Sequence, residues 1–183
     1  MTIEDTLREI KKELRANMNG VASSYMRQHG ADYHVNFGIE LPRLREIAAQ
    51  FSPDHQLARR LWHENVRESK ILAAMLMPIR EFPFEECDLW LSQIPNVEIA
   101  QMTVLNLFSR LPYAGEKAFE WMAAKEETTQ LCGFLLITRL HIQGAELTAR
   151  DLQEFTDQAN ASLPTANPTL HRAIQNALTH IIG

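Results

Sequence analysis

Three tryptophans recur at nearly equal intervals, and this repeat limits the possible folds of the chain more than any other feature. Trp62 and Trp90 are 28 residues apart, and Trp90 and Trp121 are 31 residues apart. Each lies near the end of a short segment with helical periodicity that precedes a longer apolar segment, at 66–77, 97–108 and 128–142. A repeat of this length predicts stacked two-helix units, because one unit cannot bury its apolar face alone.

Apolar residues follow helical spacing along nearly the whole chain, and no segment alternates long enough to predict a strand. We therefore expect an all-α protein and interpret the three tryptophans as packing residues of the repeat core. The expected organisation is one HEAT-like repeat domain over residues 1–183. It comprises N-terminal helices in 1–52, tryptophan-marked helix pairs at about 55–80, 84–111 and 115–142, and a C-terminal pair at about 147–182.

Composition and charge exclude several classes of protein. A chain of 183 residues with 45% apolar residues can bury a core without disulfides or metal. No apolar run approaches the roughly 20 residues of a membrane span, and the charged N-terminal segment is unlike a signal peptide, so we expect a cytoplasmic protein without membrane contact. Residues 1–80 carry 12 Lys or Arg and 10 Asp or Glu, whereas residues 81–183 carry 6 and 13. A DNA-binding surface should therefore draw mainly on the N-terminal half.

The sequence contains none of the common nucleotide-binding or metal-binding motifs, and its seven histidines are scattered. We expect no cofactor and no metal. Cys132 lies in the apolar segment LCGFLLI, which should bury the thiol, raise its pKa and leave it unreactive.

Several short motifs point to one family. Residues 25–27 (YMR) and 36–47 (NFGIELPRLREI) resemble the N-terminal signature of the DNA alkylation repair enzyme family, the AlkD-like DNA glycosylases. Leu61-Trp62, Arg67-Glu68 and Leu72-Ala73 resemble its next helix pair, and residues 172–174 (RAI) resemble the start of its last helix. The resemblance implies a right-handed superhelical (solenoid) stack of HEAT-like antiparallel helix pairs. It also implies a concave face that cradles duplex DNA, and removal of positively charged alkylated purines without a metal.

In that family, activity is associated with an Asp one helical turn after a Trp, an Arg on a later helix and a second Trp on the last helix. By resemblance, the Trp and Asp positions fall on Val97 and Gln101, the Arg position at or beside Cys132, and the last Trp position on Asn176. A carboxylate there would stabilise the oxocarbenium charge of base excision, and Gln101 is a neutral amide. Glu98 is a weak substitute, because one residue along a helix turns a side chain by about 100°.

The resemblance also suggests DNA-contacting residues. Tyr25 matches an aromatic residue of the family's lesion-facing surface, although it could equally be a packing residue. Arg43, Arg45, Arg67 and Lys70 are candidate phosphate contacts, although solvated helix charges need no ligand.

The resemblance and the substitutions at its functional positions together leave two possible functions. The first is a HEAT-like binding module without excision activity, whose partner is duplex DNA, alkylated or abasic, or another protein. The alternative is an alkylpurine DNA glycosylase with a rearranged site that releases 3-methyladenine or 7-methylguanine.

Overall fold

The computed structural model describes residues 2–30 and 33–183, and the regular structure in these ranges is helical. The α-helices are α1 (Ile3–Ala16), α2 (Gly20–Gln28), α3 (Leu41–Ala48), α4 (His55–His63), α5 (Arg67–Leu76), α6 (Phe84–Ser92), α7 (Val97–Asn106), α8 (Ala114–Met122), α9 (Glu127–Ile142), α10 (Ala149–Ser162) and α11 (Pro168–Ile181). Short 3₁₀ helices lie at Ile79–Glu81, Phe108–Arg110 and Leu163–Thr165. Val35 and Val66 form an isolated parallel bridge. The all-α prediction is confirmed.

Side-chain caps fix where many of these helices begin. Thr2 and Thr148 form capping boxes with Asp5 and Asp151, in which hydroxyl and carboxylate each satisfy a backbone N–H at the helix start. The hydrogen bonds from the threonines lower the pKa of both aspartates. Further N-terminal caps come from Asn19, Asp54, Asn96, Glu126 and Asn167.

The chain divides into two compact units, Met1–Phe82 and Pro83–Gly183. In the first unit, α5 packs against α3 and α4, and α4 also contacts α1. In the second unit, α9 is the central helix and packs against α6, α7, α8 and α11. The organisation as one repeat domain stays a prediction.

The three tryptophans occupy equivalent places in successive helix pairs. Trp62, Trp90 and Trp121 lie near the ends of α4, α6 and α8, and each side chain is at most 2% exposed. The Trp121 indole donates a hydrogen bond to Asp88 at 2.8 Å and meets the Phe108 ring edge-on, with the ring centroids 5.0 Å apart. The interpretation of the tryptophans as core packing residues is confirmed.

Candidate nucleic-acid interface

The second helices of the last three pairs, α7, α9 and α11, line an open depression of about 430 Å³ in the second unit. We call it the amide depression, because Gln101 and Asn176 lie in its wall. Val97, Gln101 and Asn176, at which the family resemblance placed three functional residues, are all in the lining. The complete lining is Val97, Gln101, Leu131, Leu135, Pro168, Thr169, Arg172, Ala173 and Asn176.

The fourth position was expected at or beside Cys132. Cys132 is buried in α9, and burial raises its thiol pKa to about 12. Its neighbour Leu131 lines the depression instead, which is consistent with the 100° turn between successive helical residues. Glu98 follows Val97 on α7 but is not in the lining that the described residues form.

The start of α11 explains how Arg172 and Asn176 reach the depression together. Asn167 accepts a hydrogen bond from the Leu170 N–H at 2.9 Å, and Pro168 occupies the first turn, where its missing N–H costs nothing. The helix therefore begins at Pro168, and Arg172 and Asn176 lie one turn apart on the same face.

The charge of the amide depression differs from that of the unit around it. Residues 83–183 contain 6 Lys or Arg and 12 Asp or Glu. The lining contains Arg172, the amides of Gln101 and Asn176 and the hydroxyl of Thr169, and no carboxylate among the described residues. Such a site can donate hydrogen bonds and attract an anion, but it offers no negative charge to an oxocarbenium ion.

Two candidate DNA contacts of the first unit are accessible. The Tyr25 side chain is 61% exposed and stacks on His29, with the ring centroids 3.9 Å apart. Arg45 is exposed on α3 and makes no ion pair with the described residues. Arg43 is half-buried and bonds Asn17 at 2.7 Å and Glu46 at 2.5 Å. Tyr25 and Arg45 therefore remain available to a ligand.

The other two candidates, Arg67 and Lys70, contact groups within the first unit. Arg67 is 4% exposed, and its guanidinium donates to the Ile39 carbonyl and to Glu68, both at 2.9 Å. Lys70 donates to the Trp62 carbonyl at 2.7 Å and lies 4.5 Å from the centroid of that indole ring. Burial lowers the Lys70 pKa. Arg67 thus does not present a charge to solvent, contrary to the sequence-based expectation, because neighbouring backbone and carboxylate groups enclose it.

Arg172 is the site residue that the sequence motifs did not single out as a ligand contact. Arg172 belongs to the RAI motif at residues 172–174. Its spacing of four residues from Asn176 was the signal that the two side chains lie on the same face of the helix.

Within residues 2–30 and 33–183, no group of three or more His, Cys, Asp or Glu side chains is placed to hold a metal ion. Among the described residues, no helix is both long enough and apolar enough to cross a membrane.

Comparison with known proteins gives one family and one similar structure. The family model for the DNA alkylation repair enzyme matches residues 10–181. A solved structure described as "a new family of proteins related to the HEAT-like repeat DNA glycosylases with affinity for branched DNA structures" superposes with a TM-score of 0.84 at 14% identity. The match covers 99% of this chain and 76% of that one. No curated protein matches the sequence. The match over residues 10–181 confirms the predicted family, and the superposition confirms the HEAT-like fold: the chain belongs to the DNA alkylation repair enzyme family.

Proposed function

We propose that this chain is a DNA-binding member of the family that does not excise bases. One observation carries the proposal. The amide depression brings together Val97, Gln101 and Asn176, the positions expected to hold the family's functional residues, with Arg172, and the described residues contribute no carboxylate to its lining. Losing a charge-stabilising group from an electrostatic site costs several kcal/mol of activation free energy. Binding to the phosphate backbone needs only cations and hydrogen-bond donors.

In this proposal, Arg172 pairs with a phosphate, and the Gln101 and Asn176 amides donate to phosphate oxygens or base edges. In the first unit, taken by itself, Tyr25 and Arg45 are the accessible candidates for DNA contacts. The structural neighbour is described as having affinity for branched DNA. We therefore include branched DNA with alkylated and abasic duplexes among the ligands to be tested.

The test measures binding and excision on the same DNA. A methylated duplex is incubated with the protein, released 3-methyladenine and 7-methylguanine are quantified by mass spectrometry, and binding is followed by fluorescence anisotropy. We expect binding without release above the uncatalysed rate. Release above that rate would overturn the proposal.

Family membership favours one other function, an alkylpurine glycosylase with a rearranged site. Glu98 would then supply the missing negative charge. If release is detected, Glu98→Gln should abolish it while leaving affinity for DNA unchanged. If the protein neither excises bases nor binds DNA, a protein partner becomes the better explanation for this surface.

A further inference from the structure

The amide depression continues along α7 and α9 into a smaller apolar recess of about 160 Å³. Gln101 and Leu135 line both, so the two form one groove within the second unit. On α9 the groove follows a stripe at helical spacing: Leu131, Leu135, Arg139 and Ile142. The recess is completed by Val104, Leu105 and Thr138.

Arg139 is the unusual residue of this recess. Its Nε atom is buried and has no hydrogen-bond partner among the described residues, and its guanidinium makes no ion pair with them. A buried N–H donor without a partner is costly, and native proteins rarely leave one unsatisfied. None of the described residues that line the recess carries a carboxylate. Arg139 is half-buried and lines the recess, so it can donate hydrogen bonds to an anionic ligand there.

Each of the two parts of the groove has one cation and several apolar side chains in its lining. Arg172 lines the amide depression, Arg139 lines the recess, and the Gln101 amide lies in the wall that the two share. Leu131 and Arg139 are eight residues apart on α9, which is ~12 Å along the helix axis.

We propose that this groove binds an unpaired strand of DNA, with phosphates on Arg139 and Arg172 and a base on the apolar surface of Leu105, Leu135 and Ile142. The inference rests on the proposed DNA-binding function and names the DNA class that this site selects. Proteins that bind single strands usually place cations along the phosphate backbone and stack the bases on neighbouring side chains. A paired base inside a duplex has both faces covered by stacking, so only an unpaired base can occupy the recess.

The first experiment compares Arg139→Gln with Arg150→Gln. Arg150 is a matched control, because it is exposed on α10 of the same unit and makes no ion pair with the described residues. The probe is a fluorescent oligothymidylate of about ten nucleotides, within the range of known single-strand sites. We expect Arg139→Gln to weaken binding about tenfold and to reduce the salt slope by about 0.7. Arg150→Gln should change neither.

The second experiment tests the base contact. Ile142 is 53% exposed, so Ile142→Ala should leave the fold intact, as circular dichroism can verify. The variant should bind oligothymidylate more weakly than the unchanged protein does. It should bind an abasic strand of the same length equally well, because that strand has no base to place in the recess.

The outcomes separate this inference from the proposed function. If Arg139→Gln and Arg150→Gln bind oligothymidylate equally while the unchanged protein binds duplex or branched DNA, the groove assignment is wrong and DNA binding stands. If the unchanged protein binds none of these DNAs, both proposals fail. Stronger binding of a polyglutamate peptide than of oligothymidylate would overturn the groove assignment in favour of an acidic protein partner.

Discussion

Buried charges of the first unit show how single residues shape the molecule. Glu68 is fully buried and accepts hydrogen bonds from the Phe37 N–H at 3.0 Å, the Ile39 N–H at 3.3 Å and the Arg67 guanidinium at 2.9 Å. One carboxylate thus fixes the loop before α3 onto α5. Arg67 and Glu68 form a structural ion pair. The resemblance to the family at these two positions is therefore evidence for the shared fold.

Replacing the Glu68 carboxylate should therefore destabilise the protein. In Glu68→Gln the amide NH₂ faces backbone donors, and the buried Arg67 charge loses its anion, so we expect a loss of about 3–5 kcal/mol in unfolding free energy. Urea unfolding provides the measurement. Glu46→Gln is the matched control, since Glu46 pairs with Arg43 on the surface and its loss should cost under about 1 kcal/mol. Equal effects of the two substitutions would contradict the structural role of Glu68.

Cys132 provides a pH-dependent test of burial. Its folded pKa is about 12 against an ordinary value of 9.0, so the folded state holds the proton more tightly than the unfolded chain does. This contribution to stability is complete below pH 9 and is lost as the pH rises toward 12. The stability advantage of the unchanged protein over Cys132→Ala should shrink between about pH 8 and about pH 11. A constant difference across that range would show that the thiol ionises equally in both states.

At the scale of helices, the local sequence predicts that a segment is helical better than it predicts the residue at which the helix begins. Asn65-Val66 and Asn96-Val97 are identical dipeptides at equivalent turns, yet α7 begins after an Asn96 cap and α5 begins after Val66. The reason is tertiary: the Arg67 N–H donates to the Val35 carbonyl at 3.0 Å, beside the bridge between Val35 and Val66. The sequence near residue 66 gives no signal of a partner at Val35, 31 residues earlier.

Close packing between α8 and α9 depends on Gly133. A Cβ atom at this position would lie 2.5 Å from the Met122 nitrogen and 2.9 Å from the Trp121 carbonyl carbon. Alanine improves helix propensity by about 1 kcal/mol, but overpacking against backbone costs about 1–3 kcal/mol. We expect Gly133→Ala to lower the unfolding free energy, measured by denaturant titration.

Gly115 offers the matched control for this helix pair. It lies in α8, and a Cβ atom there would have no neighbour within 4 Å. Gly115→Ala should therefore be neutral or stabilising by up to about 1 kcal/mol. If both alanine variants raised stability, the close contact of α8 and α9 at Gly133 would be refuted.

For the whole molecule, periodicity predicted the helical class, and the tryptophan spacing predicted the helix pairs. The convergence of Val97, Gln101 and Asn176 was accessible only through family resemblance, since the three residues lie on two helices far apart in sequence. The burial of Arg67 and the half-burial of Lys70 were not predictable, because composition does not show which charges neighbouring residues enclose. The Arg139 recess was not predicted either, because its walls come from two helices, α7 and α9, that are not adjacent in the sequence.

We propose that this family member binds DNA through a groove to which the described residues contribute no carboxylate. The most direct test is the salt dependence of DNA affinity, from about 20 to about 200 mM, for the unchanged protein, Arg172→Gln and the control Arg150→Gln. We predict a steep slope that falls by about 1 in Arg172→Gln on duplex or branched DNA and is unchanged in Arg150→Gln. A flat salt dependence, or equal slopes for all three proteins, would contradict the account.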